Sequence, residues 1–219
     1  MVMRRTFLAG MGAMAALPAA AQTPAVPAAA PTPATPAAPA GPPPVPAGAV
    51  RIRIATGAGP ILVDLYADKA PITCRNFLKY VDGKLYDNAY IYRAVKVAGE
   101  PLFGLVQGGL HPTAPRLKPI AHESTALTGL SNTDGAISMA REAPGTATSD
   151  FFFCVGDASG LDFDPKTKDP GFAAFGKVVQ GMDIVKKILL SPTAGAARTP
   201  SMKGQILTVP VAINTMRRL

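Results

Sequence analysis

The chain has 219 residues, a formal net charge of +8, 48% hydrophobic residues and 16% charged residues. Its two cysteines exclude a disulfide-stapled scaffold and a four-cysteine zinc site. The apolar content excludes a chain solvated and disordered throughout. The 23 prolines are unevenly placed, with ten of them between Pro24 and Pro46.

Residues 1–21 read as an export signal. Arg4 and Arg5 make a charged start, Phe7 to Leu17 is an apolar stretch diluted by Gly10 and Gly12, and Ala19-Ala20-Ala21 supplies small residues for cleavage before Gln22. The apolar run is too short for a bilayer span of about 20 residues, so no stable membrane insertion is expected. The block Arg4-Arg5-Thr6-Phe7-Leu8 resembles a twin-arginine signal, and a periplasmic or otherwise exported location follows as an expectation. Residues 22–49 are nearly all Ala, Pro, Thr, Val and Gly. Proline fixes φ and removes a donor, which predicts a disordered, polyproline-like tether.

Residues 50–219 are enough for one domain with a substantial core. Val50-Arg51-Ile52-Arg53-Ile54 alternates as a half-buried strand, and Gly57-Ala58-Gly59-Pro60 turns the chain into Ile61–Tyr66. Pro71 opens a helix whose apolar face is Ile72, Phe77, Leu78 and Val81, with Gly83 closing it. Short strands follow over Tyr90–Val95, Leu102–Gln107, Ala136–Ala140, Phe151–Val155, Ala173–Val179 and Ile206–Ile213. A second helix fits Met182–Leu190, and Pro210 places the last strand near an edge or a bulge. Many short strands with two helices predict a closed barrel.

His111 and His122 are the only histidines, and neither sits at a metal-ligand spacing, so no metal or other cofactor is expected. Cys154, in the apolar strand Phe151–Val155, reads as a buried small hydrophobe; a Cys74–Cys154 disulfide in an oxidising compartment is the minor alternative. No Lys/Arg run exceeds two residues, which argues against nucleic acid.

Five blocks remain: Tyr92-Arg93-Ala94-Val95, Leu105-Val106-Gln107-Gly108-Gly109, Gly135 to Arg141, Phe151-Phe152-Phe153-Cys154 and Ala174 to Asp183. In this order and at these separations they resemble the cyclophilin family of peptidyl-prolyl cis-trans isomerases, over about Val50 to Ile213. The resemblance implies a mainly β fold, an eight-stranded antiparallel barrel capped by two helices. It also implies isomerisation of X-Pro bonds in peptides and unfolded proteins by a monomer. Arg93 falls at the family's catalytic arginine. Gln107, Leu105, Phe152, Ala140, Arg141, Leu161 and Phe172 fall at substrate-binding positions, with Phe172 where a histidine is frequent. His122-Glu123 is expected to serve loop hydrogen bonding.

The chemistry suits these residue types. At the twisted transition state the imide nitrogen regains its lone pair, and a fixed, permanently charged guanidinium binds that state better than either planar isomer. An apolar pocket for the proline ring keeps the site dry. The family pattern is not complete. Gly104 stands where a Phe is frequent, with Phe103 adjacent to refill the space. Asp150 replaces a Gln, and the groove Trp is missing near Gly160 or Phe163. These departures predict altered affinity for cyclosporin-like ligands and altered choice of the residue before proline. Two rival readings are a proline-peptide-binding module or holdase with little turnover, and a domain that engages the Ala/Pro tether as a pseudo-substrate.

Overall fold

In β1 (Ala49–Thr56) and β2 (Gly59–Tyr66) alternation directs Ile52, Ile54, Ile61, Val63 and Leu65 to one face, and all five are fully buried. The strands pair from Ala49↔Tyr66 to Thr56↔Gly59, leaving a two-residue turn at Gly57-Ala58. Thr56 Oγ1 donates to the Gly59 carbonyl at 2.6 Å, and Gly59 has φ +133, which L side chains rarely adopt. The computed structural model describes residues 41–197 and 199–219. The expected export signal and the tether as far as residue 40 lie outside the described residues. Within the described part of the tether, the Pro43 carbonyl accepts a 2.6 Å hydrogen bond from Arg51 Nη1.

The other strands are β3 (Ala89–Val97), β4 (Glu100–Gly109), β5 (Ala136–Met139), β6 (Phe151–Val155), β7 (Ala174–Gln180) and β8 (Ile206–Arg218). They close a barrel in the order β1-β2-β7-β5-β6-β4-β3-β8, with every neighbouring pair antiparallel. Closure removes the sheet edges. Pro210 therefore has no edge to occupy. It sits in a bulge of β8, between the pairings Arg93↔Ile206 and Ile91↔Val211.

Among the described residues three α-helices accompany the barrel, one more than the sequence predicts. They are α1 (Pro71–Asp82), α2 (Thr125–Thr128) and α3 (Met182–Leu190). The extra one, α2, is a single turn and too short to show a periodic pattern. Helix α1 starts on Pro71 and buries Phe77, Leu78 and Val81 as expected, but Ile72 is 42% exposed, and Thr73, Cys74, Asn76 and Tyr80 complete the buried face. Gly83 closes α1 as expected, at φ −74, with its N–H donating to the Lys79 carbonyl at 3.0 Å, and the left-handed conformation falls on Lys84 at φ +55. Phe77 reaches into the barrel and meets Tyr86, Phe151 and Phe175 with ring centroids 5.0–5.4 Å apart. Burying a ring of this size contributes about 2–3 kcal/mol. The Glu123 carboxylate accepts from the backbone N–H of Ile72 at 3.1 Å and of Thr73 at 2.7 Å. It thus satisfies orphan donors at the positive end of α1. His122 Nε2 lies 2.9 Å from the Pro170 carbonyl oxygen, so His122 has the loop role expected of it, whereas Glu123 serves a helix end.

Candidate active site

Strand β6 runs between two apolar environments. Phe151, Phe153 and Val155 join the barrel core, while Phe152 and Cys154 point outward into a second cluster with Leu105, Ala140, Leu161 and Phe172. The period of two predicted this split of the three phenylalanines. Outward residues align across strands, because Arg93 pairs with Gln107 and Gln107 pairs with Phe152.

A bulge in β3 completes the row. Ile91 pairs with Gly108 and Arg93 with Gln107, so Tyr92 and Arg93 together oppose one residue of β4. Two consecutive side chains thus leave the barrel on the same side. Arg93 Nη1 donates to Gln107 Oε1 at 2.8 Å, and Gln107 Nε2 donates to the Tyr92 hydroxyl at 2.6 Å. Arg93 Nε and Nη2 both donate to Gln205 Oε1, at 2.8 and 2.5 Å. The Gln205 backbone carbonyl accepts from Ala94 N at 2.9 Å, which ties its turn to β3. The guanidinium is therefore held in one plane by two neutral amide oxygens. One N–H on each terminal nitrogen remains without a partner among the described residues. Half-burial lowers the pKa of Arg93 from its ordinary value, yet a guanidinium stays protonated at neutral pH.

The groove beside it has a volume of about 520 Å³ and is lined by all eight predicted site residues: Arg93, Leu105, Gln107, Ala140, Arg141, Phe152, Leu161 and Phe172. Phe172 meets Phe152 edge-on at 5.4 Å, and the Arg141 guanidinium lies 4.9 Å above the Phe172 ring while donating to the Gly171 carbonyl. Behind the wall, fully buried Asn132 donates to Asp162 Oδ1 at 2.6 Å and to the carbonyls of Leu161 and Phe172, each at 3.3 Å. Ser138 Oγ donates to Asn132 Oδ1. This network sets where the two apolar wall residues stand.

Tyr92, Gln205 and Met202 are site residues for which the sequence reading assigned no role; Tyr92 was visible only as the neighbour of Arg93. Gln205 lies 112 residues from Arg93 and belongs to no motif, so only the β3–β8 pairing reveals it. Phe103 does not refill the groove; its ring packs over Gly156, outside the lining just described. Cys74 and Cys154 are both free and buried, with their thiols pushed up to about 12 chiefly by burial, so the disulfide alternative fails. Among the described residues no group of three or more His, Cys, Asp or Glu could hold a metal ion.

Residues 51–211 match the family described as cyclophilin type peptidyl-prolyl cis-trans isomerase/CLD. The chain belongs to this family. It is accordingly an enzyme of the peptidyl-prolyl cis-trans isomerase class. A peptidyl-prolyl cis-trans isomerase of Acinetobacter baylyi is 37% identical over 175 residues, covering 76% of this chain and 88% of the relative. Peptidyl-prolyl cis-trans isomerase B of Escherichia coli K12 is 37% identical over 138 residues, covering 61% and 80%. A solved cyclophilin type isomerase of Cryptosporidium parvum superposes with a TM-score of 0.61 at 21% identity, over 78% of this chain and 98% of that one. At that identity the likeness speaks for the barrel fold alone.

Proposed function

We propose that this cyclophilin accelerates rotation about X-Pro bonds in unfolded or newly exported proteins, with Arg93 donating to the imide nitrogen as the bond twists. One observation carries the reading. The Arg93 guanidinium stands at the rim of an apolar pocket, held through Gln107 and Gln205 by neutral oxygens that leave its charge unneutralised.

The planar imide resists rotation by about 18–20 kcal/mol because nitrogen shares its lone pair with the carbonyl. At the twist that sharing is lost, and the unspent N–H groups of Arg93 meet a lone pair that neither planar isomer offers. Phe152, Leu105, Leu161 and Phe172 hold the proline ring and keep water from competing for the donor. Gln107 acts on Arg93, since its Oε1 accepts from the guanidinium and its Nε2 is anchored on Tyr92. Its remaining N–H is available to the substrate backbone. The reading of residues 1–21 as an export signal supports a client pool of chains that fold outside the cytoplasm. Membership of the cyclophilin type peptidyl-prolyl cis-trans isomerase family supports X-Pro peptides as the substrate class.

The test is an NMR exchange or protease-coupled assay on a short X-Pro peptide. Arg93→Ala is expected to lower kcat/KM by about 10²–10³ while circular dichroism and peptide binding persist. An undiminished rate would remove Arg93 from the mechanism. Tight peptide binding by the wild type without acceleration would favour the holdase reading.

A further inference from the structure

A second cavity, of about 350 Å³, adjoins the groove. It is lined by Val95, Val97, Phe103 and Gly104 from β3 and β4, by Asp157, Ala158 and Gly160 from the segment after β6, and by Leu105 and Leu161. The last two also line the groove that receives the proline ring, so the cavities share a wall. Asp157 is the only charged residue in this lining, and its Oδ1 is engaged by the Ser159 N–H at 3.0 Å. The apolar side chains here are incompletely buried: Val95, Phe103, Leu105 and Leu161 are half-buried, and Val97 is 40% exposed. Half-exposed apolar side chains gathered around one hollow mark a binding surface rather than core.

The hollow exists because two glycines border it. A Cβ on Gly104 would come within 2.0 Å of the Val95 carbonyl oxygen, so β3 approaches too closely for any side chain there. Gly160 is different. A Cβ on it meets nothing within 4 Å, and its φ lies outside the range that strains L residues.

We propose that this cavity is a specificity subsite that takes a large apolar side chain, of the leucine or phenylalanine class, from a residue flanking the proline of the bound peptide. The inference rests on the X-Pro reading of the groove. The occupant follows from continuity: a peptide whose proline ring lies against Leu105 and Leu161 carries its neighbouring residue across that same wall into the hollow. The volume admits a branched or aromatic side chain, and apart from Asp157, whose Oδ1 already accepts from Ser159 N–H, the lining carries no charge. A buried apolar side chain of this size discriminates by about tenfold or more over alanine.

The experiment compares wild type with Gly160→Leu, which fills the hollow from an open position. Peptides differ only in the residue before or after proline, Ala against Leu or Phe. Both turnover and affinity by NMR titration are read. The wild type is expected to prefer a Leu- or Phe-flanked peptide by about tenfold in kcat/KM and in affinity. Gly160→Leu should bring that ratio close to one. Val97→Asp, at an exposed rim position, should lower the ratio too, and serves if Gly160→Leu does not fold. Binding of the preferred peptide should shift the Val95, Val97 and Phe103 resonances. Absence of any preference in the wild type, or a preference that survives in both variants, overturns the proposal. If no peptide is accelerated but the affinity preference appears and is lost in the variants, the subsite stands and the isomerase reading of the groove fails.

Discussion

Arg51 and Arg93 occupy equivalent situations in two halves of the barrel, and their partners make them different devices. Each is an outward residue in a cross-strand pair, Arg51 with Asp64 and Arg93 with Gln107. Each engages all three guanidinium nitrogens. Arg51 donates through Nε and Nη2 to both oxygens of Asp64, at 2.6 and 2.8 Å, and through Nη1 to Pro43. Arg93 donates in the same pattern to neutral amide oxygens. The Asp64 hydrogen bond raises the pKa of Arg51, while burial lowers that of Arg93. Where the partner is a carboxylate the charge is cancelled and serves the fold. Where the partners are amides the orientation is equally fixed, but the field is left for a ligand.

The largest expected effect breaks the structural half. Arg51→Ala leaves Asp64, 1% exposed, as an uncompensated buried charge. Losing one member of such a pair costs about 3–5 kcal/mol. Denaturant unfolding should report that loss, with kcat/KM of the folded enzyme unchanged. The double variant Arg51→Met, Asp64→Leu should recover most of it, since an apolar pair of similar size avoids the desolvation cost.

Arg93→Ala is expected to do the reverse, reducing turnover with little loss of stability. Gln205→Glu sharpens the contrast further by giving Arg93 the kind of partner Arg51 has. A carboxylate in place of the amide should hold the guanidinium as firmly and neutralise it, lowering kcat/KM about tenfold without lowering Tm. A variant as active as wild type would show that orientation alone suffices.

The smallest effect concerns a carboxylate–arginine pair at the surface. Asp82 accepts from Arg218 at 2.7 and 2.5 Å, and that hydrogen bonding holds its carboxyl below the ordinary aspartate range. A lowered folded pKa means stabilisation that is complete above the unfolded value of about 3.9 and lost as pH falls through the folded one. The side chains are 50% and 45% exposed, so solvent screening keeps the contribution at about 0.2–1 kcal/mol. Asp82→Asn should therefore lower stability slightly at pH 7, less in high salt, and not at all at the acid end of the profile. An equal loss at every pH would mean the pair does not act through charge.

Much of the site was legible because it lies on strands. Alternation alone separates Phe152 from Phe151 and Phe153, and the order of five blocks carries Arg93, Gln107 and the apolar wall into one groove. What alternation hides is its own interruption. The β3 bulge sends Tyr92 and Arg93 out together and leaves no mark in the local residue pattern, whereas the β8 bulge was announced by Pro210. Phe103 illustrates the same limit. Proximity in sequence suggested that it refills the space beside Gly104, whereas the backbone carries it over Gly156 and opens a second hollow.

The residues of the chain by themselves determined a barrel of short strands with helices at Pro71 and Met182 and its apolar interior. Those features follow from periodicity and from proline and glycine chemistry, which act over a few neighbours. Only the tertiary structure decided that Gln205 holds Arg93, that Asn132 sets the groove wall and that Glu123 caps α1. Each of these joins a side chain to groups dozens of residues away, and a hydrogen bond depends on distance and direction in space rather than on separation along the chain.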